Sequence, residues 1–410
     1  MREMKDSGVD WIGEIPHDWE IVQTKRVFRS IKRVVGNQVG EYDRLALTLN
    51  GVIKRSKEDN EGLQPEKFEG YQILKENELV FKLIDLENVK TSRVGLSSYT
   101  GLVSPAYIVL TNESKDNRFY YYWFMFMYYN EVFNHLGGDG VRSALNAKDL
   151  TAIPVPFINE CKQHRIADYL DEKCSKIDAI IKKQQTVIEK LKAYKLSNIN
   201  ELIVEVEGQS IHLGYIANMK NGLNFNVAPN GKPLKFLGVG DFKDYFVLDR
   251  EDMFSDILID EEIDEDYMLK DGDIVFVRSN GSKDLVGRAV MVENIDFPLS
   301  YSGFCIRFRN IRTDILNDRY LLYFFRSPYF REQLKKYSQG SNINNINQVL
   351  LSQISITVPS IEIQKRAIDD VERLSYNLDK TILGKQTLID MLIAYKKSLI
   401  YEVVTGKKEI

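Results

Sequence analysis

The side chains best able to hold a metal ion are few and scattered along the chain. Four histidines and three cysteines are present: His17, His135, His164, His212, Cys161, Cys174 and Cys305. Cys161 and His164 are three residues apart, but a structural zinc site needs four ligands, and no second pair completes one. We therefore predict no metal site, and we interpret Cys161 and His164 as surface residues at the start of a helix.

One glycine motif raises the question of a methyl-donor cofactor. Phe236–Gly240 reads FLGVG, which is similar to the FxGxG element that binds S-adenosylmethionine in amino-methyltransferases. That element needs a following helix whose N-terminus faces the ligand, whereas Tyr245–Leu248 has the pattern of a strand. The matching catalytic tetrapeptide requires a Pro-Pro pair, which the sequence lacks. Because a lone glycine motif is weak evidence, we predict no cofactor.

Other catalytic motifs are also missing from the sequence. There is no GxxxxGK[ST] phosphate loop, which argues against a helicase or translocase motor, and we find no convincing cluster of nuclease carboxylates. The abundant Tyr, Ser and Lys residues leave a tyrosine recombinase-like site open, although no motif supports one. The sequence thus predicts a protein that is not itself an enzyme.

The bulk composition indicates a globular protein of two or three domains. The chain has 410 residues, of which 44% are hydrophobic. The sparse, odd set of cysteines indicates a reducing cytoplasm, and no apolar segment follows the basic residues at the N-terminus, so we expect no secretory signal. The longest apolar run, residues 119–129, is too short to span a bilayer, which takes about 20 residues. We expect it to be a buried core helix.

The charge of the chain is unevenly distributed. The net charge of −4 argues mildly against nucleic-acid binding, which usually shows a basic footprint. Residues 208–358 carry 17 basic and 20 acidic side chains, but 12 of those acids lie in 241–266 beside only two basic residues. The rest of this region is therefore basic, with a net charge of +7. Residues 1–150, with 20 basic and 22 acidic side chains, show no such segregation.

An internal repeat is the strongest signal in the sequence. Residues 163–204 align without gaps to 364–405, an offset of 201, with 15 identities in 42 positions. A period of half the chain indicates duplicated domains rather than a solenoid. Both copies lack proline and space their apolar residues by three, four and seven, as one helical face requires. In the first copy that face is Ile166, Leu170, Ile177, Ile181, Ile188, Leu191 and Tyr194; in the second it is Leu378, Ile382, Ile389, Leu392, Tyr395 and Leu399.

An apolar stripe on a helix of about 40 residues needs a partner. The simplest partner is the other copy, in an antiparallel coiled-coil pair; the alternative is that each helix packs on its own globular domain. We predict an α+β fold with two similar α/β domains at 1–155 and 208–358. Long helices at 156–207 and 359–410 follow them and serve as spacers. Ser360 is positioned to cap the second helix.

Several longer segments are characteristic of a known family. They are KDSGVDWIGEIP at Lys5–Pro16 with Trp19, FKLIDLENVKTSR at Phe81–Arg93, SPAY at Ser104–Tyr107, the helix signatures at Ile177–Asp178 and Tyr194–Ser197, and AYKKSLIYEVVTGK at Ala394–Lys407. With these motifs, essentially the whole chain resembles the specificity subunits of type I restriction–modification systems. One departure is the first helix, which ends in VEVE at Val204–Glu207 and lacks the Thr-Gly-Lys ending, and the resemblance implies that a contact to a methylation subunit differs there.

The resemblance implies a division of labour. It implies two target-recognition domains that each read half of a split, double-stranded DNA site, and helices that act as spacer and docking surface for two adenine-methylation subunits. Two restriction subunits would add ATP-driven translocation and cleavage. The runner-up is a coiled-coil scaffold that assembles partners without DNA; a self-sufficient methyltransferase rests only on the weak Phe236–Gly240 motif.

Reading DNA requires side chains that bond to base edges and cations that contact phosphates. The residue types and loop positions that fit this need are found in both domains. The candidates are Asn50, Lys54, Arg55, Lys57, Lys82, Arg93 and Arg142 in the first, and Arg278, Asn280, Lys283, Arg288, Asn342 and Asn345 in the second.

Overall fold

The duplication is visible in the order of the secondary-structure elements. The computed structural model describes residues 3–49, 51–59, 67–84, 86, 93–136, 144–225, 230–260, 262–282, 284–337 and 345–410. Contacts between Cα atoms divide the chain into a first unit, Met1–Gln184 with Thr387–Ile410, and a second unit, Gln185–Gln386. The division falls within both long helices, so that each unit contains a part of each.

The first unit contains most of its strands before its helices. The strands are β1 (Met4–Asp6), β2 (Glu14–Pro16), β3 (Glu20–Gln23), β4 (Arg29–Ser30), β5 (Arg44–Thr48), β6 (Gly51–Arg55), β7 (Gln72–Leu74), β8 (Leu79–Phe81), β9 (Val94–Leu96), β10 (Gly101–Val103), β11 (Ile108–Thr111) and β12 (Pro154–Phe157). The helices are α1 (Arg118–Tyr129), α2 (Val132–His135), α3 (Ala147–Ala152) and α4 (Glu160–Ile203). Two four-stranded sheets have the orders β6-β5-β10-β7 and β4-β11-β8-β9, and the pairs β1-β2 and β12-β3 complete them.

The second unit repeats this plan. Its strands are β13 (Gln209–His212), β14 (Ala217–Asn221), β15 (Lys232–Leu237), β16 (Val247–Leu248), β17 (Ser255–Ile259), β18 (Ile274–Val277), β19 (Ala289–Val292), β20 (Leu299–Tyr301), β21 (Cys305–Asn310) and β22 (Ser355–Val358). Its helices are α5 (Asp318–Phe325), α6 (Pro328–Tyr337), α7 (Gln348–Gln353) and α8 (Ile361–Val404). The sheets have the orders β14-β21-β18-β19-β16 and β17-β15-β20, with the pair β13-β22.

Each domain is closed by the same pair of strands. In the first, β3 pairs antiparallel with β12, and Thr24 then donates its N–H to the carbonyl of Ile153 at 2.8 Å. In the second, β13 pairs antiparallel with β22, and Leu213 donates to Ile354 at the same distance. The strand that opens each domain thus pairs with the strand that leads into the long helix, which brings the two ends of each domain together.

The long helices are the most exact copies in the fold. Helices α4 and α8 have 44 residues each, and both of their bounds differ by 201, the offset of the sequence repeat. With no proline to interrupt the backbone hydrogen bonds, each helix is about 66 Å long at 1.5 Å per residue. The predicted cap is present, since the N–H of Ile363 donates to Oγ of Ser360 at 3.4 Å.

The antiparallel pairing is seen within each unit. In the first unit, Lys396 of α8 contacts Asp178 of α4 at 2.7 Å, and α8 residues such as Val403 share a core with Ile166 of α4. In the second unit, Lys195 contacts Asp379, also at 2.7 Å. The two ion pairs use the same two repeat positions with the helices exchanged. Both of the packing arrangements considered from the sequence therefore occur. The helices pair with each other, and they also pack on their globular domains.

The core of the first unit shows why the aromatic run is helical. Eight residues of α1 are buried, including Trp123 and Phe124 at 0% exposure, and they pack against the strands and α4. This confirms a buried core helix at 119–129. Among the described residues, no helix is both long and apolar enough to cross a membrane.

One detail of the predicted helical faces is wrong. Tyr194 and Tyr395, assigned to the buried stripes, are each 53% exposed. The neighbouring Lys195 and Lys396 turn inward instead, with side chains 18% and 21% exposed, because each makes the ion pair with the other helix. Their apolar stems can line the seam while the charged ends reach a carboxylate.

Candidate nucleic-acid interface

Three loops of the second domain are tied together by backbone hydrogen bonds at the end of β18. Arg278, the residue after this strand, donates its N–H to the carbonyl of Phe304 at 2.7 Å and accepts from the N–H of Ile346 at 2.9 Å. Ser279 and Asn345 form an antiparallel bridge beside it. The structure therefore brings together Arg278 and Asn345, which lie far apart in the sequence. We call residues 278–282, 302–304 and 345–346 the loop cluster.

Three polar side chains of the loop cluster, those of Arg278, Asn280 and Asn345, reach the surface. Arg278 is half-buried, and its Nη1 donates to the carbonyl of Gly303 at 3.3 Å. Asn280 is half-buried and its Oδ1 accepts from the N–H of Ser282 at 2.7 Å, which closes a turn, while Asn345 is exposed. An arginine fork suits the acceptors of guanine and an asparagine amide suits adenine. The loop cluster thus contains both of these side-chain types.

The sequence analysis missed one residue of the loop cluster, Phe304. Strand β21 begins at Cys305, and Phe304 lies in the preceding turn with 57% of its surface exposed. The N–H of Phe304 donates to Oγ of Ser302 at 3.2 Å, just as Ala106 donates to Ser104 at 3.3 Å in the first domain. The same turn thus presents a phenyl ring in one domain and a methyl group in the other. A glycine before an aromatic residue at the start of a strand was the available signal.

Arg288 has a different environment from Arg278. Its guanidinium donates to the carbonyl of Lys243 and lies 3.2 Å from Oδ1 of Asp244, a fully exposed carboxylate. It is therefore held against the acidic segment 241–266. The arginine is the link between that segment and the end of the loop that follows β18.

In the first domain, three of the predicted cations lie on β6 and the turn after it. Lys54 is 2.8 Å from Asp43 and lies over the ring of Tyr99, and its hydrogen bond to Asp43 raises the pKa of Lys54 above its ordinary value. Arg55 contacts Asp59 at 2.6 Å. Lys57 donates to the carbonyl of residue 39 at 2.6 Å. All three are anchored by the protein's own oxygens.

Lys82 and Arg93 lie on adjacent segments, since the N–H of Lys82 donates to the carbonyl of Arg93 at 2.9 Å. Lys82 is half-buried, but Arg93 is only 2% exposed. Its guanidinium lies over the ring of Tyr128 and lines a cavity of about 250 Å³ together with Lys397. Arg93 therefore has a packing role, and its role in DNA binding stays a prediction. Asn50, Arg142, Lys283 and Asn342 lie outside the described residues.

The glycine motif at 236–240 and the residues considered as metal ligands have structural roles or lie at the surface. Phe236 and Leu237 belong to β15, and the glycines that follow form a tight turn whose Gly238 N–H donates to Asp241 at 2.7 Å. Cys161 is exposed in the first turn of α4, as predicted. Within the part of the chain that the structure describes, no three His, Cys, Asp or Glu residues are grouped in a way that could hold a metal ion.

A comparison with protein-family models finds the same domain family in both halves of the chain. Residues 16–190 and 216–388 each match the type I restriction modification DNA specificity domain. The chain belongs to this family. Two specificity domains in one chain agree with the repeat of 201 residues and with the two sheets and long helix that recur in each half.

Individual relatives extend the comparison. The chain is 27% identical over 144 residues to the StySPI type I restriction enzyme specificity subunit of Salmonella potsdam, which is 35% of this chain and 30% of that one. It is 26% identical over 145 residues to the EcoKI specificity subunit of Escherichia coli (strain K12), or 35% and 31% of the two chains. The matches to these curated relatives thus span about three-tenths of their length.

Solved structures show the same fold across nearly the whole chain. One, from a study of complex assembly and conformational transition of the type I R-M system, has a TM-score of 0.70, 13% identity, and coverage of 95% of this chain and 98% of the other. The HsdS subunit from Thermoanaerobacter tengcongensis has a TM-score of 0.51, 14% identity, and coverage of 96% and 98%. The predicted fold class is confirmed by these specificity-domain structures.

Proposed function

We propose that this chain recognises a double-stranded DNA target composed of two half-sites, with one specificity domain for each, and catalyses no reaction itself. The observation that carries the proposal is the duplication: two sheets, an antiparallel closing strand pair and a 44-residue helix occur in each half of the chain. Two copies of one reading domain suit a target of two parts. In this proposal the helices act as the spacer and bind two methylation subunits, and two restriction subunits join them in a cytoplasmic complex.

The proposed DNA-reading surface of the second domain is centred on the loop cluster. Arg278, Asn280 and Asn345 supply polar groups for base edges, and the net charge of +7 outside 241–266 supplies attraction to phosphates. In the first domain, Lys54, Arg55, Lys57 and Lys82 are the described candidates. Lys54 is held by Asp43 in an exposed ion pair, and such pairs are weak enough, at about 1 kcal/mol or less, to be exchanged for phosphate.

Binding of the assembled complex to duplex DNA tests the proposal. We expect specific binding whose affinity falls steeply with salt, since lysines and arginines that neutralise phosphates release counterions. The pure chain should transfer no labelled methyl group to DNA. If the complex assembles but has no affinity for DNA, the chain is a scaffold; if the pure chain methylates DNA at the rate of the complex, it is an enzyme.

Replacing Arg278 with alanine should weaken specific recognition. We expect Arg278→Ala to lower affinity for the cognate duplex by about 5- to 150-fold, because a bidentate contact to a base is worth roughly 1–3 kcal/mol. Affinity for a duplex mismatched at the base concerned should change much less. Fluorescence anisotropy with both duplexes measures the difference.

A matched control for this variant is Lys235→Ala. Lys235 belongs to the same domain but lies 2.9 Å from Asp256 and 3.7 Å from Glu251, within the acidic segment. Its removal should leave the affinities for both duplexes near those of the wild type. Equal losses on the cognate and mismatched duplexes for Arg278→Ala would make Arg278 a phosphate contact at most.

Phe304 should contribute an apolar contact to the same half-site. We expect Phe304→Ala to weaken cognate binding by about 5-fold or more, since stacking of a base on an aromatic ring is worth roughly 1–3 kcal/mol. Ile311→Ala is the control: Ile311 is 58% exposed, about as much as Phe304, and follows the far end of β21. Substitution of uracil for each thymine distinguishes contact with a thymine methyl from stacking. Equal effects of the two variants would remove Phe304 from the reading surface.

A further inference from the structure

A groove of about 530 Å³ runs beside the paired helices of the first unit. Its lining comes from α1, α4 and α8 and includes Tyr121, Met125, Cys174, Ser175 and Lys396. The volume lies within the range of about 300–1,000 Å³ that is usual for ligand sites in proteins. Burial raises the pKa of Tyr121 to about 12 and of the Cys174 thiol to about 11, so both side chains are neutral at pH 7.

The second unit contains the counterpart of this groove, built from the same repeat positions. In the first unit, the hydroxyl of Tyr122 donates to Asp171 at 2.6 Å. In the second, the hydroxyl of Tyr323 donates to Glu372 at 3.3 Å, and both pairs are related by the offset of 201. Lys396 of the first groove corresponds to Lys195 of the second, since each makes the ion pair that joins the helices.

The counterpart groove is occupied by a side chain of the chain itself. Phe246, from the segment before β16, has its ring centroid 6.0 Å from that of Tyr323. The Lys195 ammonium lies 5.7 Å from the Phe246 centroid, and the Arg326 guanidinium lies 4.0 Å from it. An aromatic ring between cations is a favourable arrangement, because the ring face carries partial negative charge.

The first groove shares the tyrosine–carboxylate pair and the lysine of its counterpart, and it is open among the described residues. Lys396 takes the place of Lys195, and Met125 takes that of Arg326 by the offset of 201. A methionine thioether also makes favourable contacts with aromatic rings and adapts its shape to them. The groove thus keeps the tyrosine and the lysine that contact Phe246 in the other unit, and a thioether replaces the guanidinium.

We propose that the groove of the first unit receives an aromatic side chain from a methylation subunit, in the position that Phe246 fills in the second unit. The inference rests on the proposed function, which assigns the long helices to these subunits. The occupant is aromatic because the chain's own copy of the site holds a phenyl ring. It comes from a partner because the groove opens along α4, where Glu172 and Ser175 are exposed.

Filling the groove with a tryptophan tests this inference. Ser175 is exposed and lines the groove, so Ser175→Trp should block it without disturbing the core. We expect affinity for the methylation subunit at this site to fall by about 10- to 100-fold, the effect of losing one buried aromatic side chain. At a concentration where wild-type chain carries two methylation subunits, native mass spectrometry should show Ser175→Trp with one.

The control is Ala179→Trp, which adds the same indole one turn further along α4, at an exposed position outside the groove lining. It should carry two subunits, and thermal unfolding should show both variants folded. A wild-type level of assembly for Ser175→Trp would overturn the inference. If wild-type chain binds no methylation subunit, the proposed function fails instead.

A photo-crosslinking residue provides an independent measurement. With benzoylphenylalanine at position 175 of the full complex, we expect a crosslink to a methylation-subunit peptide that contains Phe, Tyr or Trp. Replacing that aromatic residue with alanine should weaken assembly to the level of Ser175→Trp, and the two changes together should weaken it no further. A crosslink to a second copy of this chain, or only to the chain itself, would assign the groove to a different occupant.

Discussion

Exchanging residues 213–354 for the same segment of another family member should change one half of the methylated DNA motif and leave the other half unaltered. We expect this result because the segment contains the second domain's loop cluster and begins and ends just inside its closing strands. The chimera retains β13 and β22, which pair through four residues, so the inserted domain enters on the original strand pair. Sequencing of methylated bases in cells that contain the assembled complex measures the motif.

The matched experiment exchanges residues 24–153, the segment inside β3 and β12 of the first domain. That chimera should change the other half of the motif. A chimera that assembles with methylation subunits but alters both halves would show that the domains do not read independently. A chimera that alters neither half would place the reading groups outside these segments.

Replacing Gly406 with alanine should greatly lower the free energy of unfolding. Gly406 has φ of +73°, and a Cβ there would lie 2.4 Å from Cγ of Pro16 and 3.2 Å from the Trp19 ring. A left-handed backbone costs a residue with a side chain about 1–2 kcal/mol, and overpacking costs a further 1–3 kcal/mol. We expect Gly406→Ala to lower the free energy of unfolding by roughly 2–5 kcal/mol.

The same substitution at Gly384 provides the control. Gly384 lies in the interior of α8, and a Cβ there meets no atom within 4 Å. Gly384→Ala should therefore raise stability by about 0.5–1 kcal/mol, because alanine has the higher helix propensity. Calorimetric unfolding of both variants measures the two effects. Effects of the same sign would show that the contact between Gly406 and Pro16 does not constrain the native structure.

The long helices were predictable because a repeating physical pattern specifies them. Spacings of three, four and seven residues and the absence of proline predicted two helices, and the repeat offset reproduced the relation between their bounds. The exposure of Tyr194 and Tyr395 was not predictable from the pattern. A tyrosine and a neighbouring lysine compete for the inward position, and the competition is decided by a carboxylate on the other helix.

The candidate interface was less predictable because it depends on contacts between distant segments. Sequence alone indicated Arg278 and Asn345 as separate candidates, but their proximity results from a bridge between loops 66 residues apart in the chain. Phe304 was not identified from the sequence, because an aromatic residue next to a strand is equally typical of a position within the strand. The burial of Arg93 was likewise not predictable, since an arginine in a polar segment is expected to be a surface residue until the cavity around it is known.

The crossed ion pairs, Lys396 with Asp178 and Lys195 with Asp379, restrict how the lengths of the helices can evolve. One residue inserted into α4 between Asp178 and Lys195 turns every later side chain by about 100° around the axis, which moves Lys195 away from the seam. Seven inserted residues restore its direction to within about 20°, but they also shift it along α4, so α8 needs the same insertion between Asp379 and Lys396. Descendants of this chain that keep both ion pairs should therefore differ from it by paired steps of seven residues, and in them the lengths of the two helices change together.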